Sequence, residues 1–327
     1  MGAYSSAYFY GADYVELDLQ ITKDGHVVTN HDPCLKDTTN VESYAWLFGD
    51  RKSNYIFPPY ETYYSNDYLI NDFTLEELKM LRRKARYNSR NQYFNADFTM
   101  LTLEEIIEML LNWNQNFPRK DIGQKVGLYI ETKMYNFYKS SRGYDVADVL
   151  FNILKKYDLE TVAKSSAKLP IIVECFEIEA LERFSQLSDL PLVYLMFYGN
   201  PMVSYNLTNT NLIAHGVGPK SDWLFKYQNE TWNLTSPSKF IDECHSLGLA
   251  VHPYSMQDDM LKWTKTPLDE LELYITKQVD GIFTEFPHLT AAAFNKFKSL
   301  NRFPNATMSS DDENYDKYNF GEAEFLN

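Results

Sequence analysis

The sequence predicts an α/β protein, a (β/α)8 barrel one strand short, and three observations carry that expectation. Short β-rich runs alternate with helical patterns along most of the 327 residues, the rhythm of a parallel sheet joined by right-handed crossovers. No glycine-rich dinucleotide fingerprint accompanies them, which disfavours a doubly wound sheet. The length also suits one barrel of roughly 250 residues plus an insertion.

The elements follow in order. Met1 to Tyr10 reads as the end of a helix leading straight into a strand at Tyr14 to Gln20, so no strand precedes it. Further strands are expected at Val126 to Thr132, Pro170 to Phe176, Leu190 to Phe197, Leu212 to Val217, Leu249 to Tyr254 and Val279 to Thr284. Helical spacing fills the intervals. Leu101 to Trp113 opens on Thr102 with Glu105 three residues later, a capping box. Val146 to Tyr157, Glu179 to Leu187, Ser236 to Leu247 and Leu268 to Lys277 follow. Residues 33–100 break the rhythm. Rich in Tyr, Asn, Asp and Arg, with one helix from Thr74 to Arg82, they read as an insertion with too few apolar residues for a core of its own. A barrel domain over 1–303 and an acidic, flexible tail over 304–327 complete the division.

Charge narrows the function classes. Thirty-one basic residues against 45 acidic give a net charge of −14, which argues against a nucleic-acid partner. Ser309 to Asn327 concentrates six acidic residues against one lysine. No apolar run reaches the roughly 18–20 residues of a membrane span, and the first residues show no signal-peptide pattern. Three scattered cysteines (Cys34, Cys175, Cys244) fit neither a disulfide scaffold nor a zinc-knuckle spacing. Sequons at Asn206, Asn229, Asn233 and Asn305 are close to the roughly three that composition alone would produce.

The chemistry gathers on two strands. In Val15-Glu16-Leu17-Asp18-Leu19-Gln20, alternation sets Glu16, Asp18 and Gln20 on one face and the aliphatics on the other. Inside a barrel, two neighbouring carboxylates call for a cation, and hard oxygen donors suit Ca²⁺ or Mg²⁺. A half-exposed strand with a solvated acidic face reads equally well from this strand alone. In Leu128-Tyr129-Ile130-Glu131-Thr132-Lys133 the same parity aligns Glu131 and Lys133 at the strand's C-terminal end, where barrel sites form; an ordinary surface ion pair is the alternative. His31-Asp32, beyond Val27 to Thr29, is a candidate acid/base pair.

These residues carry a family resemblance. Gly11 to Asp18, Thr22-Lys23-Asp24-Gly25, His31-Asp32-Pro33, Leu101 to Glu105, Ile130 to Lys133, Gly216 to Pro219, Val251 to Tyr254 and Asp280 to Pro287 resemble, in order, the signature of glycerophosphodiester phosphodiesterases. The later motifs and the long insertion are most similar to the bacterial periplasmic branch. The resemblance implies a (β/α)8 barrel hydrolysing glycerophosphodiesters to sn-glycerol 3-phosphate and an alcohol. It implies Glu16, Asp18 and Glu131 as ligands of one divalent cation (Ca²⁺ ahead of Mg²⁺), His31 as a catalytic histidine and Lys133 as the lysine at the phosphate. Phe176 and Tyr254 fall where the family lines its pocket, although core packing accounts for either. The branch suggests a secreted or lumenal setting.

Two departures stand out. The family's opening strand ends in His-Arg-Gly and supplies a second catalytic histidine with an arginine; nothing here matches it, and Glu285 replaces the usual Asp of the last motif. The expectation is therefore an incomplete form of an active enzyme, binding metal but weak in turnover, with a gap in the barrel wall. A non-catalytic Ca²⁺ or phosphodiester-binding barrel and a sphingomyelinase-D-like lyase on the same fold are the alternatives.

Overall fold

The protein is described from a computed structural model covering residues 2–57, 62–118, 125–197, 206–228, 233–235, 239–299 and 324–326. The strands in chain order are β1 (Tyr14–Ile21), β2 (Val27–Thr29), β3 (Ser53–Phe57), β4 (Thr62–Asp67), β5 (Gly127–Thr132), β6 (Ile171–Cys175), β7 (Leu192–Met196), β8 (Gly216–Pro219), β9 (Lys226–Gln228), β10 (Asn233–Thr235), β11 (Ala250–Val251), β12 (Gly281–Phe283) and β13 (Glu324–Leu326).

Eight of them form a closed parallel barrel in the order β1, β5, β6, β7, β8, β11, β12, β13. The join between β11 and β12 is made by bonds such as Asp280 N–H to the Val251 carbonyl (3.0 Å) and Met256 N–H to that of Phe283 (2.7 Å). The chain enters the barrel as its sequence suggests, through a helix at Gly2–Tyr10 that leads directly into β1. The expected gap in the wall is not there. Glu324–Leu326 pairs with β1 on one side and β12 on the other, satisfying backbone groups that two bare edges would expose. The rest of the tail expected over 304–327 lies outside the described residues.

Alternation along β1 builds two layers. Val15, Leu17 and Leu19 face outward and pack with Leu103, Ile106 and Leu110 of the helix Leu103–Asn116. That helix starts on the expected capping box, with Thr102 Oγ1 accepting from Glu105 N–H (3.1 Å) and Glu105 returning the bond to Thr102 N–H (2.8 Å). A smaller core fills the barrel interior, where Tyr129, Ile172, Val193 and Phe283 meet.

The insertion corrects one expectation. Leu35, Val41, Phe48, Tyr68, Ile70, Phe73, Leu78 and Leu81 form a buried cluster with Val28 and Met100, so this segment does have a small core. Its apolar residues carry no single periodicity because turns, short helices and the β3–β4 hairpin each contribute a few. One expected strand is also displaced. Leu212 to Val217 covers the turn after the helix Leu207–Asn211, and the strand itself is Gly216–Pro219, whose glycines and proline disguise it.

Gly127 opens β5 where no side chain fits: a Cβ there would lie 2.3 Å from the Tyr14 ring and 2.9 Å from the Pro170 carbonyl oxygen. Gly127→Ala is expected to destabilise the fold by about 1–3 kcal/mol, read as a lower midpoint of urea unfolding. An unchanged midpoint would mean that β1 and β5 are not packed this closely.

Candidate active site

The β1–β5 register sets Asp18 opposite Glu131, in the C-terminal half of the parallel pair, and Glu16 opposite Tyr129, one inward position earlier. Parity turns all three carboxylates inward. One oxygen from each of Glu16, Asp18 and Glu131 lies within 4.8 Å of the others, so the two strands bring together the residues that the sequence singles out. Lys133 follows β5 and turns into the group, its Nζ 2.7 Å from Glu131 Oε2 and 2.9 Å from Asp18 Oδ1. Met134, with φ at 56°, then turns the chain away.

Electrostatics divide the carboxylates. Burial raises Glu131 to about 7 against the pull of Lys133. Glu16 is held well above the usual carboxylate range by burial and by its acidic neighbours Asp18, Glu174 and Glu131. Asp18 is buried as well, but Lys133 overrides that cost and holds it below the usual range. A hard divalent cation suits this donor set of three carboxylates. Glu131 Oε1 supports the fit, since it is buried and has no hydrogen-bond partner.

His31 stands on the loop leaving β2, its side chain 63% exposed beside a nearly buried Asp32. Its Nδ1 lies 2.9 Å from Asp32 Oδ1. Burial would raise Asp32, but His31 and Arg86 hold it below the usual range. Gln20, the third inward residue of β1, is buried. Its Nε2 donates to the carbonyls of Asn30 (3.3 Å) and His31 (3.4 Å), anchoring this loop to the barrel. His31 is near enough to Asp18 and Glu131 for its positive charge to lower both.

Three further residues join the group without a sequence signal strong enough to single them out. Arg86 reaches in from the insertion, Nη1 3.3 Å from Asp32 Oδ2 and 3.5 Å from His31 Nδ1. Tyr64 on β4 donates its hydroxyl to Asp32 at 3.4 Å. Glu174 sits opposite Glu131 on β6; burial, with Glu131 and Asp18 adding to it, raises it well above the usual range. A lone arginine in an Arg-rich loop could not be singled out, whereas Glu174 follows from β6 parity once the strand pairing is known.

Phe176 and Tyr254 meet at the same mouth. Their rings pack edge to face at 5.7 Å, Lys133 Nζ lies 5.8 Å from the Phe176 centroid, and the Tyr254 hydroxyl donates to the Met196 carbonyl (2.9 Å). Both are half-buried, and Tyr254 also packs against the interior cluster of Tyr129, Ile172, Val193 and Phe283. His252 is fully buried and accepts or donates a bond through Nδ1 with the Tyr129 hydroxyl (3.1 Å); burial lowers it to about 4, so it stays neutral. Glu285, the departure in the last motif, holds the insertion instead. It pairs with Arg90, which also meets Asp259 at 2.9 Å.

Residues 1–289 match the Glycerophosphoryl diester phosphodiesterase family. The chain belongs to this family. Its members are phosphoric diester hydrolases acting on small-molecule substrates. The chain is 30% identical to glycerophosphodiester phosphodiesterase GDPD6 of Arabidopsis thaliana, covering 87% of this chain and 78% of that protein. It is 26% identical to the glycerophosphodiester phosphodiesterase of Haemophilus influenzae, over 86% and 81% of the two chains. Among solved structures, the Oleispira antarctica phosphodiesterase OLEI02445, described in complex with the product sn-glycerol-3-phosphate, superposes with a TM-score of 0.58 at 17% identity, covering 88% of this chain and 87% of that one. The family barrel is the fold expected from the sequence. No helix among the described residues is long and apolar enough to cross a membrane.

The raised Glu131 makes stability depend on pH in a definite direction. Its carboxyl keeps its proton to about 7 when folded and releases it near 4.5 when unfolded. The stabilisation is therefore complete below 4.5 and is lost as pH rises through 7. In chelator-treated protein, the melting temperature of wild type relative to Glu131→Gln should fall between about pH 5 and pH 8. A pH-independent difference would contradict the buried, protonated Glu131.

Proposed function

We propose that this protein is a divalent-cation-dependent glycerophosphodiester phosphodiesterase, releasing sn-glycerol 3-phosphate and an alcohol. The observation that carries this reading is the convergence of three carboxylates within 4.8 Å at the strand ends, with Lys133 among them and His31–Asp32 beside them. The relatives named as glycerophosphodiester phosphodiesterases, and the product-bound Oleispira neighbour, support the same substrate class.

In this reading Glu16, Asp18 and Glu131 hold the cation. We place Ca²⁺ ahead of Mg²⁺, because Ca²⁺ accepts about six to eight oxygens in adaptable geometry. When bound, the cation would orient the phosphodiester and offset negative charge building on its oxygens. Lys133 adds a point charge at the same phosphate, and Arg86 offers a second from the insertion. His31 donates its Nδ1–H to Asp32, which leaves Nε2 as the atom that moves a proton. Asp32 positions the imidazole, and Phe176 and Tyr254 wall the pocket beside Lys133. Cleavage calls for two proton transfers, one at the nucleophile and one at the leaving alkoxide. The described residues offer one histidine at this mouth, so turnover by this chain is expected to be slow.

Phosphorus NMR with a high concentration of protein, Ca²⁺ and glycerophosphocholine should reveal slow formation of sn-glycerol 3-phosphate. His31→Ala should reduce the rate by about 10²–10⁴-fold with Ca²⁺ affinity unchanged. A cyclic phosphate product, or turnover indifferent to His31, would contradict the hydrolytic reading. Glu131→Ala should weaken Ca²⁺ binding by at least about tenfold in calorimetry. Unchanged affinity would remove that residue from the cation site.

A further inference from the structure

A cavity of about 240 Å³ lies between the start of the first helix and the insertion segment 83–101. We propose that it receives the alcohol limb of the substrate and selects head groups that bear a carboxylate or a second phosphate over those whose only charge is a quaternary ammonium. The inference deepens the hydrolase reading above and rests on it.

The electrostatic character of the lining is the first argument. Arg83 and Lys84 line the cavity with Tyr4, Asn91, Phe94 and Phe98, and no aspartate or glutamate is among its lining residues, in a chain of net charge −14. Arg86 and Arg90, on the same segment, each meet a carboxylate. Arg83 differs from both. Its guanidinium donates to the Asn30 side-chain oxygen, and no carboxylate among the described residues lies within ion-pairing distance. Asp18 and Asp32 act on this half-buried guanidinium only from beyond contact, so it loses hydration that no direct ion pair replaces, and an anion entering the cavity would restore that balance through two parallel N–H bonds.

Placement is the second argument. Arg83 is fixed through its backbone, its N–H donating to the Phe98 carbonyl (2.7 Å) and its own carbonyl accepting from Ala96 N–H (2.8 Å). Lys84 N–H likewise donates to the Thr38 carbonyl at 2.9 Å. The main chain that carries both cations is thus held in place before any ligand arrives. The cavity also adjoins the mouth. Thr29 lines it two residues before His31, and Tyr4 and Arg83 lie near enough to Asp18 for its charge to act on both. A phosphodiester seated at the carboxylates would direct one of its limbs here. Phe94 and Phe98 could face a choline cation, but two positive charges with no acid among the lining residues oppose it.

Calorimetry on the full chain carrying His31→Ala, with Ca²⁺ present, tests this with sn-glycerol 3-phosphate, glycerophosphoserine and glycerophosphocholine. Glycerophosphoserine should bind about tenfold tighter than glycerophosphocholine. Adding Arg83→Gln should abolish the preference, and adding the exposed Lys84→Gln should reduce it about threefold; neither should change the affinity for sn-glycerol 3-phosphate. If Arg83→Gln fails to fold, the Lys84 variant still decides. Binding of sn-glycerol 3-phosphate with equal or tighter binding of glycerophosphocholine would overturn the proposal while leaving the hydrolase reading intact. Failure of all three ligands to bind would overturn both.

Discussion

Three carboxylates on two adjacent strands repel one another in a place where water is scarce, and the C-terminal mouth of this barrel is arranged around that repulsion. A single ammonium, Lys133, touches two of them and holds Asp18 ionised. It does not satisfy the set. Glu131 keeps one buried oxygen without a hydrogen-bond partner, and Glu16 and Glu174 are held toward their neutral forms. A site that stores protons where it could bind a cation has its affinity linked to pH by construction.

The insertion is the second structural theme. With a small core of its own, it reaches over the mouth and is tied down at both ends of its reach: Arg90 to Asp259 and Glu285 on the loops after β11 and β12, and Arg86 to the His31–Asp32 pair. The barrel supplies rigid strands that aim the carboxylates, and the insertion supplies cations that the strands do not. Glu285 fits this division because its side chain is engaged by Arg90.

Much of this was legible in the sequence, for a physical reason. Alternation along Tyr14–Ile21 and Gly127–Thr132 states which side chains share a face, so Glu16 could be grouped with Asp18, and Glu131 with Lys133, before any pairing was known, while the family resemblance joined the two pairs into one site. The box at Thr102 and Glu105 is local chemistry and was equally readable. What escaped depends on contacts between distant segments. Arg86 reaches Asp32 from more than fifty residues away, and Arg83 becomes notable only because it makes no ion pair with the described residues and lines a cavity with no acid in its wall. The strands of the β9–β10 hairpin are three residues long, and Gly216–Pro219 sets its one β-branched residue, Val217, among two glycines and a proline, so neither announces itself. The insertion core, drawn from several short elements, has no period to detect.

The most direct test of the central geometry is anomalous diffraction from crystals of the full chain soaked in Mn²⁺ or Ca²⁺. A single peak bonded to oxygens of Glu16, Asp18 and Glu131, at about 2.1–2.6 Å, is the result this account predicts. A peak elsewhere in the molecule, with Lys133 still seated between Asp18 and Glu131 and no ion beside them, would contradict it.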